Sequence, residues 1–534
     1  MLDGALAALR SRRLLIGLIG LGVVLRVAQY LANRSLWADE ASLALNLIER
    51  PLGSLTRPLD FNQAAPVGFL FVEGVVARVA GFSEYALRFF PLVAGVVSLP
   101  LFAWLARRLL SEAAAAVATL LFAVADGLIY YSSEVKPYGI DVAVAVALLA
   151  AALIIVDPSP GRPRMPLVVG VAGLFLIPLS YPSIFIVVSV TAVLATRLLV
   201  SRRFSLSSPE SVTVLIWAAA AVAIGAFGAT RARGVRESLT GTGRFLGVNG
   251  SSSPIHALNA MGTRMVTALG EPWQGHVLGR VLVVLTGLCW LLGAAVLARR
   301  KPTELLMLLL PFPLLLIASA AHVYPILERT ELFLLPAVVV LVAEGVVQAV
   351  RWSSARWRAG PALVLAGVVL AGPVAVAAGR LVHPRTNEEI RPVLQYVRDH
   401  WRAGDTLYVA AGSQDAFLYY ERCKCLPLAK RGGSTALWPV RPLSGVSSQT
   451  APPAASLTAN LVLGGYYGVN AAAYVGELDR LRERRRIWFV YSHLPDDWTT
   501  RFVRMTFLRQ LALDHKLVAE VERHGAQAYL YVSG

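Results

Sequence analysis

The chain has 534 residues, of which 56% are hydrophobic and only 16% are charged. A soluble chain carries about 25% charged residues and no series of apolar runs about 20 residues long, so the composition excludes an ordinary soluble protein. The formal net charge of +17 could indicate nucleic-acid binding in a soluble chain. Here much of the arginine lies in short loops between apolar runs, which favours a role in membrane orientation and no nucleic-acid partner.

The apolar runs predict about eleven transmembrane helices. The first, at 14–31, follows a basic N-terminus and has no small-residue cleavage site at its end, which indicates an uncleaved helix. The others lie at 87–106, 113–131, 139–156, 166–180, 183–200, 211–229, 277–298, 303–321, 331–350 and 361–380. Lys and Arg concentrate in every second loop, so we expect the N-terminus in the cytoplasm of a bacterial cell. An odd number of spans then places the C-terminus in the periplasm or outside.

Two longer loops follow on the predicted outer side, at 32–86 and 230–276. Part of the first, 66–82, is apolar but short and contains Glu73 and Arg78, which predicts a helix lying along the membrane surface. The second loop combines glycines with arginines that break the charge bias. It is either a lid that draws in an anionic lipid or an uninvolved loop. Its arginines are Arg231, Arg233, Arg236 and Arg244.

After residue 383 the composition becomes that of a soluble protein. Helices are predicted at 390–401 and 502–515, with strands at 406–411, 486–492 and 526–532 and an irregular segment at 427–457. We therefore expect a soluble α/β domain over 383–534, facing the periplasm or exterior, after a transmembrane domain over 1–382.

Three cysteines are too few for a disulfide framework. Cys289 lies in an apolar run and is expected to be a small core residue. Cys423 and Cys425 have no further metal-ligating neighbour, so either a disulfide or two free thiols is expected rather than a metal site.

Unusual polar residues near the span ends all fall on the predicted outer side. Asp39 and Glu40 follow the first span, where a carboxylate could act as a base or hold a divalent cation such as Mg, Mn or Ca. Basic side chains on the same side could hold a lipid phosphate. The remaining candidates are Gln63, Glu134, Lys136, Tyr138, His322, Tyr324 and Arg329.

Six of these candidates also have a structural explanation. Asp39 could be a helix N-cap, with Glu40 complementing the helix dipole. Glu134 and Lys136 could pair with each other, and Arg329 could pair with its acidic neighbours. His322 alone is more often a boundary residue than a ligand.

Four short motifs, in this order along the chain, resemble the GT-C class of polyprenyl-phosphate-sugar-dependent glycosyltransferases. Within that class they are most similar to bacterial relatives of protein O-mannosyltransferases and lipid A aminoarabinose transferases. The motifs are Trp37-Ala38-Asp39-Glu40-Ala41, Ala65-Pro66-Val67-Gly68-Phe69-Leu70, Tyr85-Ala86-Leu87-Arg88-Phe89-Phe90-Pro91 and Ser133-Glu134-Val135-Lys136-Pro137-Tyr138.

The resemblance implies an inverting transfer of a hexosyl or pentosyl group from polyprenyl phosphate to an envelope glycan, lipid or protein, without a nucleotide cofactor. Asp39 matches the family's general base or metal ligand, with Glu40 beside it, and Glu134 matches a second acidic position. Lys136, Tyr138 and Arg329 match groups that meet the donor phosphate. His322, Tyr324 and Gln63 are candidate substrate contacts, although Gln63 stands where the family often has a basic residue or His.

Two other functions remain open at this stage. A transporter or lipid flippase would be expected to show polar or broken helices near the bilayer midplane. A cell-envelope assembly scaffold would use the C-terminal domain for binding. The spans are largely Ala, Leu and Val and the polar residues gather at one side, which favours the enzyme. The sugar, the acceptor and the oligomeric state stay open.

Overall fold

The computed structural model describes residues 11–157, 164–240, 244–246, 254–270, 277–355, 359–423, 455–458, 460–465, 470–479, 481–493 and 498–534. The chain forms two compact units. The first comprises Met1–Ala32, Ala65–Val72 and Arg88–Arg385, and the second comprises Asn33–Ala64, Glu73–Leu87 and Thr386–Gly534. Asp39 and Gln63 therefore belong to the same unit as the C-terminal residues.

The chain up to residue 382 is helical, as a bilayer requires, because a helix satisfies its backbone hydrogen bonds internally. Its helices are α1 (Arg12–Leu31), α2 (Ala38–Glu49), α3 (Val67–Ala80), α4 (Glu84–Leu109), α5 (Glu112–Val124), α6 (Asp126–Tyr131), α7 (Tyr138–Val156), α8 (Met165–Leu176), α9 (Ser183–Val200), α10 (Pro209–Arg231), α11 (Arg233–Leu239), α12 (Pro254–Leu269), α13 (Val277–Arg300), α14 (Pro302–Leu309), α15 (Pro311–Ala320), α16 (Leu335–Ala355) and α17 (Ala359–Val382). Short 3-10 turns lie at Leu52–Thr56, Ile177–Leu179 and Leu332–Leu334.

The helices confirm the predicted polytopic architecture. Within the described ranges, nine helical segments are long and apolar enough to cross a membrane. Two shorter apolar segments, Glu112–Val124 and Met165–Leu179, occupy the two remaining predicted spans. The span predicted at 113–131 is not one helix, because the backbone of Ala125 leaves the helical region at ψ 115° and α6 begins at Asp126.

Two glycines bring a pair of long helices into backbone contact within the first unit. A Cβ at Gly345 of α16 would overlap the Cys289 carbonyl of α13, and one at Gly293 would overlap the Leu341 carbonyl. Small residues permit this close approach between membrane helices. Cys289 is buried and free, which confirms its predicted place in the core.

The second unit contains a six-stranded sheet in the order β2-β3-β1-β4-β6-β5. Strands β3, β1 and β4 are parallel, whereas β2, β6 and β5 pair antiparallel. The strands are β1 (Thr406–Val409), β2 (Ala455–Thr458), β3 (Leu461–Leu463), β4 (Arg486–Ser492), β5 (His515–Arg523) and β6 (Ala526–Ser533). The helices are α18 (Ile390–Asp399), α19 (Gln414–Cys423), α20 (Ala471–Asp479) and α21 (Trp498–Asp514), and a 3-10 turn lies at Ala411–Ser413.

The predicted α/β class of the C-terminal region is confirmed, with a richer set of elements. The prediction of an irregular segment at 427–457 is wrong for its last residues, because β2 begins at Ala455 and pairs with β3. Residues 427–454 lie outside the described part. Cys423 is disulfide-bonded, and Cys425 also lies outside the described residues.

Glu73 is a fully buried carboxyl on α3, a 14-residue helix that is not among the nine candidate spans. Neither of its oxygens has a hydrogen-bond partner among the described residues. Burial raises its pKa well above the usual value. In the unfolded chain the same group ionises near its usual pKa, so unfolding at neutral pH releases a proton and stability falls as pH rises.

We therefore expect Glu73→Gln to raise the melting temperature at about pH 8 and to have little effect near pH 4, where the unfolded chain is also protonated. The free energy of unfolding of the variant should exceed that of the wild type by an amount that grows by up to about 1.4 kcal/mol per pH unit. This growth occurs between the pKa of Glu73 in the unfolded chain and its raised pKa in the folded protein. Melting curves of the protein in lipid nanodiscs across this range measure it. Glu483→Gln, at an exposed position, is the matched control. A wild-type-like pH profile for Glu73→Gln would contradict the buried neutral carboxyl.

Candidate active site

Asp39 lies in the first turn of α2, within the second unit. The N-cap is Trp37, whose side chain makes no capping bond, so Asp39 is not the N-cap. Its side chain is half-buried, and its Oδ1 accepts a hydrogen bond of 3.2 Å from Gln63 Nε2. The acidic first turn is favourable at the positive end of the helix dipole. Asp39 is therefore a half-buried residue whose carboxylate accepts a hydrogen bond from an amide donor.

A strained turn brings Gln63 to Asp39. Asn46 of α2 binds the backbone of Asp60 at both polar groups, accepting from its N–H at 2.9 Å and donating to its carbonyl at 3.1 Å. Phe61 and Asn62 then adopt left-handed conformations, with φ of 58° and 53°. Such conformations cost about 1 kcal/mol or more each outside glycine. The placement of Gln63 beside Asp39 therefore requires two backbone conformations that lower the local stability.

Glu40, the neighbour of Asp39, has a different environment. Its side chain is fully buried, and its Oε1 lies 3.7 Å from Nη2 of the equally buried Arg34. An ionised carboxylate in such a place is stable because it is paired with a cation. Glu40 therefore supports the fold of this segment, whereas Asp39 is the more accessible of the two carboxylates.

In the first unit, the motif 133–138 forms a tight turn between α6 and α7. Lys136 N–H donates to the Glu134 carbonyl at 2.7 Å, and both side chains are buried. Tyr138 begins α7 and packs edge-on against Tyr131, with the ring centroids 5.5 Å apart. The Glu134 carboxylate interacts electrostatically with the Tyr131 phenol. The turn therefore fixes a buried acid and a buried base next to an aromatic pair.

Arg329 joins this group in the first unit. Its guanidinium lies over the Tyr138 ring, 5.5 Å from the ring centroid. The turn that carries it is fixed by the Thr330 hydroxyl, which donates to Pro325 O and accepts from Leu327 N–H, each at 2.9 Å. A guanidinium carries five N–H donors in a planar arrangement that matches the geometry of a phosphate.

The acidic neighbour Glu331 has its own cation. Its fully buried side chain accepts a hydrogen bond of 2.5 Å from Arg264 of α12. The explanation that Arg329 is present to neutralise Glu331 is therefore not needed. The same ion pair joins α12, which belongs to the predicted loop 230–276, to the start of the predicted span 331–350.

The two remaining candidates differ in their surroundings. Tyr324 is close enough to Tyr138 and to the buried Asp141 to interact with both, and removal from water raises its phenol pKa well above the usual value. Tyr324 therefore lies near the Arg329 group as a neutral hydroxyl. His322 is exposed, adopts a left-handed backbone (φ 56°) after α15 and packs on Phe245 at 5.4 Å.

The arginines of the loop 230–276 have different contacts. Arg231 is buried and donates at 3.2 Å to the carbonyl of Ala65, the first residue of the second sequence motif. Arg233 forms an exposed ion pair with Glu237, and the Arg244 carbonyl accepts from Ile326 N–H at 2.9 Å. Four glycines of this loop lie outside the described part: Gly241, Gly243, Gly247 and Gly250.

Sequence reasoning missed a second basic group in the first unit. Asp126 accepts from Arg380 at 2.6 and 3.1 Å and from Arg385 at 3.3 Å. The Arg385 guanidinium also lies 4.5 Å from the centroid of the Tyr130 ring. The signal was present, because Asp126 is an ionisable residue inside a predicted span, and such residues usually have a partner. Asn46, a lone amide in the apolar run of α2, was a similar signal.

If Asp39 binds a metal ion, other side chains near it are expected to supply further ligands. In the described part of the chain, no group of three or more His, Cys, Asp or Glu side chains could hold a metal ion. The hydrogen bond from Gln63 to Asp39 comes from an amide nitrogen, which is a donor and not a metal ligand. Around Asp39 the described residues therefore do not fit a cation held by several protein ligands.

No protein-family model and no curated protein sequence matches the chain. Similarity is found among solved structures. ArnT from Cupriavidus metallidurans in the apo state matches with a TM-score of 0.50 and 12% identity, over 96% of this chain and 98% of that chain. ArnT from the same organism bound to undecaprenyl phosphate matches with a TM-score of 0.49 and 13% identity, over 95% of this chain and 96% of that chain.

A third match is the oligosaccharyltransferase of Archaeoglobus fulgidus in complex with Zn and sulfate, with a TM-score of 0.42 and 14% identity over 76% of this chain. This chain spans only 60% of the length of that protein. ArnT and the archaeal enzyme are GT-C proteins. The match to apo ArnT over nearly the whole of both chains shows the fold: this is a polytopic membrane protein of the GT-C type with a C-terminal α/β domain.

Proposed function

We propose that the protein is an integral-membrane glycosyltransferase that moves a sugar from a polyprenyl-phosphate donor to an envelope glycan, lipid or protein. One observation carries the proposal: on a GT-C fold, the half-buried Asp39 is held by Gln63 at the start of a helix. A carboxylate held in a fixed orientation can take a proton from an acceptor hydroxyl.

The roles follow from where charge develops. As the bond between the anomeric carbon and the phosphate oxygen breaks, negative charge grows on the polyprenyl phosphate and positive charge on the sugar. Lys136 and Arg329 stabilise the phosphate, Tyr138 holds Arg329 through its ring, and Glu134 sets the turn that carries Lys136. The acceptor oxygen bonds to the anomeric carbon and gives its proton to Asp39. A single displacement of this kind inverts the anomeric centre.

Tyr324, Gln63 and His322 are proposed as neutral contacts to substrate hydroxyls. Tyr324 and Gln63 have the stronger support, because each lies beside a group with an assigned role. We also propose that the protein resides in the bacterial plasma membrane with its N-terminus in the cytoplasm and 383–534 outside. The distribution of Lys and Arg among the loops supports this orientation.

Reconstituted protein tests the proposal. The protein in liposomes should release polyprenyl phosphate from a set of radiolabelled polyprenyl-phosphate sugars in the presence of envelope extract, and should transfer label to one acceptor class. Cells that lack the protein should accumulate the donor lipid and lack a sugar on an envelope glycan, lipid or protein. Movement of the donor between leaflets without transfer would instead identify a flippase, and neither activity would favour a scaffold.

A further inference from the structure

The carboxyl ends of the parallel strands β1 and β4 form an edge of the sheet in the second unit. In the sheet the chain leaves β1 towards β2 and β3 on one side, and it leaves the neighbouring β4 towards β5 and β6 on the other side. Open α/β sheets usually bind their ligands at such a switch point, outside the carboxyl ends of the strands. In this protein the residues that follow the two strands there, Asp415 after β1 and His493 after β4, contact the first loop of the same chain.

The contacts involve residues just before α2 and residues in its first turns. The His493 ring stacks on Trp37, with centroids 6.0 Å apart. Ser42 donates to Asp415 Oδ2 at 2.5 Å, and the Leu36 N–H donates to the Tyr420 hydroxyl at 2.8 Å. The segment that carries Asp39 therefore occupies the place where a domain of this class would bind a ligand.

Glu388 is at the centre of these contacts. Its Oε2 accepts the Ala38 N–H at 3.2 Å, and its Oε1 lies 2.7 Å from His493 Nδ1. Ala38 is the first residue of α2, and an N–H at that position has no acceptor within the helix. Trp37 at the N-cap supplies none either. Glu388, 350 residues away in the sequence, therefore performs the task of an N-cap residue.

His493 holds Glu388 for this task. It adopts a left-handed backbone with φ of 53° immediately after β4. This uncommon conformation directs the side chain to Glu388 and Trp37 at the same time, and its cost must be met by the surrounding contacts. Two domain residues thus fix the turn that begins with Trp37 and continues through Asp39.

We propose that Glu388, held by His493, is a positioning residue for Asp39: the C-terminal α/β domain orients the catalytic carboxylate by capping the helix that bears it. This role rests on the proposed function of Asp39. It gives the C-terminal domain a task in catalysis that does not require it to touch either substrate.

Hydrogen exchange and kinetics on the full-length protein in nanodiscs test the proposal together. In Glu388→Ala, which removes the acceptor of the Ala38 N–H, amides 38–41 should exchange about fivefold faster, the effect of losing a helix cap. The kcat for sugar transfer should fall by about 10- to 100-fold with the donor KM within about twofold, because orientation and not binding is lost. In an Asp39→Asn background the same change should cost no further activity.

His493→Ala should give a weaker form of both effects, since it leaves Glu388 in place. His400→Ala is the matched control, because His400 is exposed and bonds its own helix at Tyr396 O. Unchanged exchange at 38–41, or faster exchange with full turnover, would overturn the positioning role. Multiplicative losses in the double variant would do the same. If the wild-type protein transfers no sugar, the proposed function fails, while the exchange data still decide whether Glu388 caps α2.

Discussion

Asp39→Asn should reduce sugar transfer by about 10²- to 10⁴-fold, the usual contribution of a positioned general base. The amide has nearly the same shape as the carboxylate but cannot accept the proton of the acceptor hydroxyl. Asp39 is half-buried, and the oxygen of an Asn side chain can still accept the hydrogen bond from Gln63 Nε2, so folding should tolerate the change. Turnover of a labelled polyprenyl-phosphate sugar, with the melting temperature measured on the same sample, separates the two effects.

The neighbouring carboxylate provides the control. Glu40→Gln removes the charge opposite the buried Arg34. Breaking a buried ion pair by removing one partner commonly costs about 3–5 kcal/mol, so this variant should lose stability first. A stable Asp39→Asn variant with wild-type turnover would refute the assignment of the base, and would reopen the flippase and scaffold alternatives.

The same assay distinguishes a base from a metal ligand. If Asp39 acts only as a base, turnover should survive EDTA and show an acidic limb that disappears in Asp39→Asn. Loss of turnover in EDTA, restored by Mg, Mn or Ca, would instead assign Asp39 to a divalent cation.

The membrane helices could be predicted from sequence because their signal is one of length and hydrophobicity alone. All eleven predicted spans correspond to apolar helical segments among the described residues. The break at Ala125 escaped prediction because the apolar run continues through it and no Pro marks it. Asp126 and Gly127 were the only warnings, and the two arginine partners of Asp126 lie 254 and 259 residues further along the chain.

In the C-terminal domain, prediction succeeded where a strand is buried on both faces. β1 and β4 are apolar runs with nearly every residue buried. β5 was missed because it is an edge strand whose side chains are mostly exposed, so its sequence lacks the apolar run. Edge strands commonly carry charge for this reason.

For the candidate site, local sequence identified the acid but not what holds it. Asp39 stands out because it is charged at a span end. Gln63 and Asn46 act through a strained turn that depends on the folded loop, and Glu388 reaches α2 from the far end of the chain. Contacts at such separations leave no periodicity or spacing in the sequence, so only a structure reveals them.

Arg329→Gln should raise the KM for the polyprenyl-phosphate donor by about 10- to 100-fold, the loss expected for one charge-assisted contact to a phosphate. It should also lower kcat, because the leaving phosphate gains negative charge in the transition state. The Arg329 guanidinium lies over the Tyr138 ring, and Glu331 pairs with Arg264. Donor titrations in nanodiscs measure both kinetic constants, and the melting temperature of the same sample separates a change in them from a loss of stability.

Variants of Tyr138 and of Arg203 test whether the effect of Arg329→Gln is specific to the phosphate site. Tyr138→Phe keeps the ring face below Arg329 and should retain most of the donor affinity, whereas Tyr138→Ala should weaken it by about two- to fivefold, as the loss of an exposed cation–π contact does. Arg203→Gln changes an exposed arginine on a predicted cytoplasmic loop and should leave both constants unchanged. Equal losses in Arg329→Gln and Arg203→Gln would show a general charge effect on an anionic lipid and would remove Arg329 from the phosphate site.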